Sequence, residues 1–247
     1  MGTKIIAEYA GSHLGDRRLI EEGIKVLALL GIDYIKFQSF KANNLNKNWP
    51  DYEKSLEYYK TIELSYYDHV FIIEKCKQYG IKPLFSVFDR ESANMVYNLG
   101  LTEVKIASPD ADKWEFVNYC ANKFKTLYIS CGMISRENLV LLKYWYNNHK
   151  LFYCISKYPT SDIDIDFDKM ALYDGFSSHC LGIKNEKKAI DLGMGYIEKH
   201  FTLGKYLPGK DHIISSMPDE FKDLVEHRNY VDKCKIFKTR WSQEGDK

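Results

Sequence analysis

No two of the six cysteines, Cys76, Cys120, Cys131, Cys154, Cys180 and Cys234, stand in a C-x-x-C pair. A disulfide scaffold belongs to much smaller secreted chains, so the expectation is reduced thiols in a cytoplasmic protein. Met1 to Glu8 contains no signal-peptide apolar core. No apolar run approaches the roughly 20 residues of a helical membrane span. An excess of charge of one sign is also missing. Lys plus Arg number 35 against 34 Asp plus Glu, a net charge of +1. Global attraction to nucleic acid or to an acidic membrane is therefore not expected, although net charge is blind to a local basic pocket. No G-x-G-x-x-G follows the first apolar run and no Walker G-x-x-x-x-G-K-[ST] occurs anywhere. Linkers and low-complexity tracts are absent as well.

What is present is alternation. Short apolar runs alternate with amphipathic stretches from end to end. The apolar runs are Lys4–Ala10, Ile32–Ser39, Ile81–Phe88, Glu103–Ser108, Thr126–Cys131, Leu151–Ser156, Gly175–His179 and Tyr196–Thr202. Between them, Ile20, Ile24, Leu27 and Ala28 repeat at helical spacing behind a capping Asp16. Ser65–Tyr79, Glu91–Leu99, Lys113–Phe124, the stretch after Ser135 toward His149, and Asn185–Leu192 read as further helices. A short helix follows Phe167, and a last one starts near Pro218. Strands that alternate with helices argue for a parallel sheet with crossover helices. Eight units in 247 residues point to a closed (β/α)8 TIM barrel of the α/β class, spanning 1–247 as one domain. The polar stretch Lys41–Ile62, with Trp49, Tyr52, Tyr58 and Tyr59, is too long for a tight turn. It is expected to be either a lid over the barrel mouth or a self-packed surface Ω-loop.

In such a barrel the C-terminal ends of the strands carry the chemistry. Strand 1 ends in Glu8, strand 2 carries Lys36 and Gln38 on one side, and strand 4 carries Lys105 before Ser108, Pro109 and Asp110. Strand 5 ends at Ser130, strand 6 leads into Tyr158, strand 7 holds Ser177 and His179, and strand 8 holds Glu198 and His200. Taken singly, these are rim lysines, hydrogen-bonded histidines and small fillers such as Cys131 and Cys180. Taken together, Lys36 and Lys105 would suit a phosphorylated, carboxylated anion. His179 and His200, on neighbouring strands, could share one divalent metal and leave its other positions open.

The chain resembles the sialic acid synthase family across nearly its whole length. The segments that carry the resemblance include Ile6-Ala7-Glu8-Tyr9-Ala10-Gly11-Ser12-His13, Ile35-Lys36-Phe37-Gln38, Lys105-Ile106-Ala107-Ser108 and Ser130-Cys131-Gly132-Met133. Tyr158-Pro159-Thr160, Phe176-Ser177-Ser178-His179, Glu198-Lys199-His200-Phe201-Thr202 and Pro208-Gly209-Lys210-Asp211 complete it. The resemblance implies a transferase that condenses phosphoenolpyruvate with an aldose to give a sialic-acid-like 2-keto sugar acid and phosphate. It implies that Lys36, Lys105, Ser108, Ser130 and Ser177 hold phosphoenolpyruvate. His179 and His200 would bind manganese or magnesium, and Glu8, Gln38, Tyr158 and Asp211 would face the sugar. Glu8, Lys36, Lys105, Asp110 and His200 are the catalytic candidates, and a homodimer is one assembly it suggests.

Several positions depart from the family pattern. Pro109-Asp110 replaces Gly-Glu, Ser178 replaces an Asp beside the candidate ligand His179, and Ser156-Lys157 replaces the Asn before Tyr158. The chain ends near the eighth helix. The expectation is thus a barrel without the C-terminal antifreeze-like domain that in typical members reaches the partner's site. Two further readings stay open: a barrel that binds a sugar or a protein without turnover, and a condensation with a different aldehyde.

Overall fold

In a computed structural model, which describes residues 2–44, 47, 51–145 and 147–244, eight parallel strands close on themselves in chain order. They are β1 (Lys4–Glu8), β2 (Tyr34–Ser39), β3 (Lys82–Val87), β4 (Glu103–Ile106), β5 (Thr126–Ser130), β6 (His149–Cys154), β7 (Gly175–Ser178) and β8 (Tyr196–His200). Each strand is buried on both faces, which is why most read as near-continuous apolar runs rather than strict alternations. The closing pair sets Glu8 opposite His200, and the next pair sets Glu8 opposite Lys36. Three residues from distant parts of the chain are thereby held at one level of the barrel.

The outer layer is α1 (Arg17–Leu29), α3 (Tyr66–Tyr79), α4 (Arg90–Asn98), α5 (Trp114–Ala121), α6 (Arg136–Trp145), α7 (Phe167–Met170), α8 (Lys184–Asp191) and α9 (Pro218–Glu244). α1 starts where the Asp16 carboxylate accepts the Arg18 N–H at 2.8 Å. It buries Ile20, Ile24 and Leu27 against the sheet. α3 opens with a reciprocal Ser65–Asp68 capping box. It stops at Gly80, whose φ of 76° is easy only for glycine. None of the described helices is long and apolar enough to cross a membrane, and the six cysteines are unpaired.

Inside the barrel, Ile6, Tyr34, Leu84, Tyr128 and Phe152 form a separate packed cluster, joined by Tyr196. They fill the interior below the polar layer. A floor of this kind confines any solvent-accessible chemistry to the C-terminal end.

Two features differ from the sequence-based expectation. Seven of the eight strands stop earlier at their C-terminal ends, β2 being the exception. β1 was expected to reach Ala10, but Ala10 has a φ of 39° and the Ser12 N–H turns back to Tyr9 O at 2.8 Å. The stretch 41–62 also contains a regular helix, α2 (Tyr52–Ile62). α2 is held by its own small core, in which Phe40, Ala42 and Ile62 pack with Leu56, Tyr58, Tyr59 and Phe88. Trp49 lies outside the described residues.

Candidate active site

Glu198, in β8, occupies the centre of the mouth. Its carboxylate lies 3.1 Å from Lys105 Nζ and 3.4 Å from Lys36 Nζ, and Ser177 Oγ donates to it at 2.9 Å. Lys36 also lies 2.5 Å from Glu8 and donates to Ser86 Oγ at 2.8 Å. Lys105 donates to Ser130 Oγ at 2.6 Å and sits 5.0 Å above the Phe152 ring. Gln38 Nε2 reaches Glu8 Oε1 at 3.3 Å. The layer thus links Glu8, Lys36, Glu198 and Lys105 in one buried chain of charges, with the half-buried Gln38 amide at its end. Period-two alternation explains the gathering, because Lys36 and Gln38, Ser177 and His179, and Glu198 and His200 each share a side of their strand.

Burial and charge divide the two carboxylates. Burial would raise Glu198, but the Lys105 and Lys36 ammonium groups outweigh it and hold the carboxyl down at about 2. For Glu8 burial prevails over Lys36, and its carboxyl is raised. Lys36 is itself raised, since Glu198 and Glu8 outweigh its burial. Lys105 is lowered by burial, which Glu198 offsets only in part. Two buried ammonium groups facing one firmly ionised carboxylate form a site that can exchange carboxylate contacts for those of an incoming anion.

Serine hydroxyls line the same end. Ser108 Oγ is buried and makes no hydrogen bond. A Cβ built on Gly132 would lie 2.9 Å from it and 2.7 Å from Ser156 Oγ, so glycine at 132 leaves these two hydroxyls room. An unpartnered buried hydroxyl is uncommon and marks a place for a ligand oxygen.

The two imidazoles flank this layer. His179 Nδ1 lies 2.8 Å from Ile155 O. A carbonyl can only accept, so Nδ1 carries the proton and Nε2 keeps its lone pair. His200 Nδ1 is buried without a partner. The ring centroids are 5.6 Å apart. Burial, then the neighbouring His200, pushes His179 down to about 3. Burial, then the Lys36 ammonium, pushes His200 down to about 3. Both rings are therefore neutral near pH 7, the form that binds a metal. Among the described residues no group of three or more His, Cys, Asp or Glu could hold a metal ion. The pair fits an open site whose remaining ligands are water or substrate oxygens.

Tyr158 packs against His179 with ring centroids 3.9 Å apart and a 32° tilt and lies 6.2 Å from the His200 ring, while 58% of it stays exposed. Asp211 belongs to the short turn Asp211–Ile213 and accepts the Gly11 N–H. Its carboxyl is raised by burial. Asp110 stands apart from the charged chain, paired with Lys113 at 2.6 Å. Ser178, which stands where the family pattern has an Asp, does not face the imidazoles. The pleat turns it outward, where its hydroxyl accepts the Cys180 N–H at 3.3 Å. Sequence reasoning placed Glu198 on the same side of strand 8 as His200 but gave it no role, and it gave none to Ser86.

α2 lies against this mouth. A Cβ on Gly11 would fall 2.6 Å from the Tyr58 hydroxyl, and one on Gly15 would fall 2.3 Å from Thr61 O. A cavity of about 440 Å³ runs between α2 and residues 208–210, lined by Leu14, Lys54, Tyr58 and Thr61.

The profile of the NeuB family matches residues 23–236. The chain belongs to this family. It is 34% identical to the N,N'-diacetyllegionaminic acid synthase of Legionella pneumophila, over 90% of this chain and 70% of that one. It is 32% identical to the synthase of the same description from Campylobacter jejuni, over 94% of this chain and 77% of the other. A solved N-acetylneuraminic acid synthetase from Leptospira borgpetersenii, in complex with citrate, superposes with a TM-score of 0.87 at 26% identity. That match covers 95% of this chain and 85% of the other. Two of these relatives are named for N,N'-diacetyllegionaminic acid and the third for N-acetylneuraminic acid.

Proposed function

We propose that this NeuB-family chain condenses phosphoenolpyruvate with an N-acylated aldose to form a nonulosonic-acid-like 2-keto sugar acid, with release of phosphate. The observation that carries the reading is the buried Lys36–Glu198–Lys105 arrangement, placed between two neutral imidazoles and the unpartnered Ser108 hydroxyl. Lys36 and Lys105 supply fixed positive charge where a phosphate and a carboxylate must be held together. Ser108, Ser130 and Ser177 offer hydroxyls to the anion's oxygens. The lysines are already desolvated, so the bound anion meets them without a water shell and at fixed positions.

Glu8, Gln38, Tyr158 and Asp211 form the side that faces the acceptor. His179 and His200 would hold a divalent cation, manganese or magnesium, which when bound supplies Lewis-acid polarisation of the aldehyde and a site for water. The carbon–carbon bond forms between the enol carbon of phosphoenolpyruvate and the aldehyde carbon. Water then adds at the carbon that bears the phosphate ester, and phosphate leaves. Asp110, buried at the edge of the mouth and paired with Lys113, is proposed to act on the acceptor side.

Calorimetric titration tests the anion half of this reading. Phosphoenolpyruvate should bind the wild-type protein without an aldose and bind Lys105→Ala much more weakly. Equal binding by both proteins would place the anion elsewhere.

A further inference from the structure

The hydrogen-bonded pairing between β7 and β8 ends at Ser178 opposite Lys199. His179 and His200 each lie one residue beyond that last rung. No rung of this ladder therefore pairs His179 with His200 directly. A side chain spans this stretch instead. Lys199 alternates with the inward Glu198 and His200, so it points out of the barrel toward α8. Its Nζ donates to Cys180 O, the carbonyl that follows His179, and pairs with Glu186 Oε1 of α8 at 3.0 Å. Both side chains are fully buried. From the other side, the Thr160 N–H donates to His179 O at 3.0 Å. The backbone at 179–180 is thus held between two donors, one of them carried by the residue before His200.

A fully buried ion pair is a weak source of stability, because desolvation offsets the attraction and an apolar pair of similar volume often does as well. An apolar pair cannot donate to Cys180 O. We propose that Lys199, with Glu186 as its counter-charge, is a positioning residue. It fixes the separation of the His179 and His200 imidazoles and thereby the affinity of that pair for a divalent cation. The inference rests on the reading of the two histidines as metal ligands.

The test is Mn2+ binding followed by electron paramagnetic resonance, with folding followed by thermal denaturation. The double variant Lys199→Met with Glu186→Leu removes the charge pair and the donor together. It should stay folded and bind phosphoenolpyruvate as the wild type does. Its Mn2+ affinity should fall by about 10–100-fold, the usual cost of losing support behind a metal-binding imidazole. Lys199→Arg keeps a charged donor and should retain most of the affinity. This variant also carries the test if the double variant does not fold: Mn2+ binding by Lys199→Arg as weak as by His200→Ala would then overturn the proposal. A folded double variant with wild-type Mn2+ affinity would show that the pair is structural only. His200→Ala separates the two levels. If it binds Mn2+ as the wild type does, the metal reading fails and this inference fails with it. If it alone loses binding, only the role of Lys199 is overturned.

Discussion

Lys105 of β4 and Glu198 of β8, 93 residues apart in the chain, meet inside the barrel at 3.1 Å. Among the described residues, Glu198 is the carboxylate that contacts both Lys36 and Lys105, and this makes its removal informative. Glu198→Gln should destabilise the fold by about 3–5 kcal/mol, because Lys36 would keep Glu8 while buried Lys105 would lose its carboxylate contact. Phosphate or phosphoenolpyruvate should raise the melting temperature of this variant more than that of the wild type, since the anion replaces the missing charge. Urea unfolding and thermal melts with and without anion check both points. A neutral effect on stability would mean that the cluster is hydrated rather than dry.

Lys36→Ala and Lys105→Ala should each raise KM for phosphoenolpyruvate. A charge-assisted contact contributes about 1.5–3 kcal/mol, or roughly one to two powers of ten. Acceptor KM should change far less. Steady-state kinetics with each substrate varied in turn separates the two effects.

Removal of divalent metal by a chelator should abolish turnover, and added Mn2+ or Mg2+ should restore it. His200→Ala should not recover with excess metal, because one of the two imidazoles is gone. Full activity in the presence of chelator would leave His179 and His200 as structural residues.

The contact between Gly11 and Tyr58 gives a test of α2. In Gly11→Ala the new Cβ would lie 2.6 Å from the Tyr58 hydroxyl and 2.9 Å from Ile62 Cδ1, so these two α2 side chains must give way at the mouth. Acceptor KM should rise by about ten-fold, on the order of one lost hydrogen bond, and phosphoenolpyruvate KM should hold. Tyr58→Ala should act in the same direction. Equal shifts in both constants would argue that α2 only stabilises the rim.

His13 supplies a pH dependence of stability. Its Nδ1 accepts the Gly15 N–H at 3.0 Å, and burial pushes the imidazole down from 6.5 to about 4. The folded state holds this ring neutral while the unfolded chain protonates it below 6.5. The contribution is complete above pH 6.5 and is lost as pH falls toward 4, at most about 3 kcal/mol for such a shift. His13→Asn keeps an acceptor for the Gly15 N–H and should flatten the stability profile between pH 6.5 and 4. An unchanged profile would assign the acid sensitivity to other histidines.

The barrel was legible because it rests on local signals: apolar runs at regular spacing, and pairs such as Lys36 with Gln38 that period two places on one side. Glu198 was harder to read, since its importance lies in Lys105 across the barrel and not in its neighbours. α2 was obscured for a related reason. Asp51 enters it with a φ of 54° and no side-chain cap, and its tyrosines find their partners in Phe40 and Phe88, which no helical pattern displays. Asp110 shows the limit from the other side. Its i,i+3 pairing with Lys113 is a contact that its place after β4 does not announce.

The most direct measurement follows inorganic phosphate and product mass in mixtures of the protein, phosphoenolpyruvate, Mn2+ and a panel of N-acylated hexosamines. A condensing synthase releases one phosphate for each 2-keto sugar acid formed, and only when aldose and metal are both present. Phosphate release that needs no aldose, or no release across the panel while phosphoenolpyruvate and Mn2+ remain bound, would contradict this function.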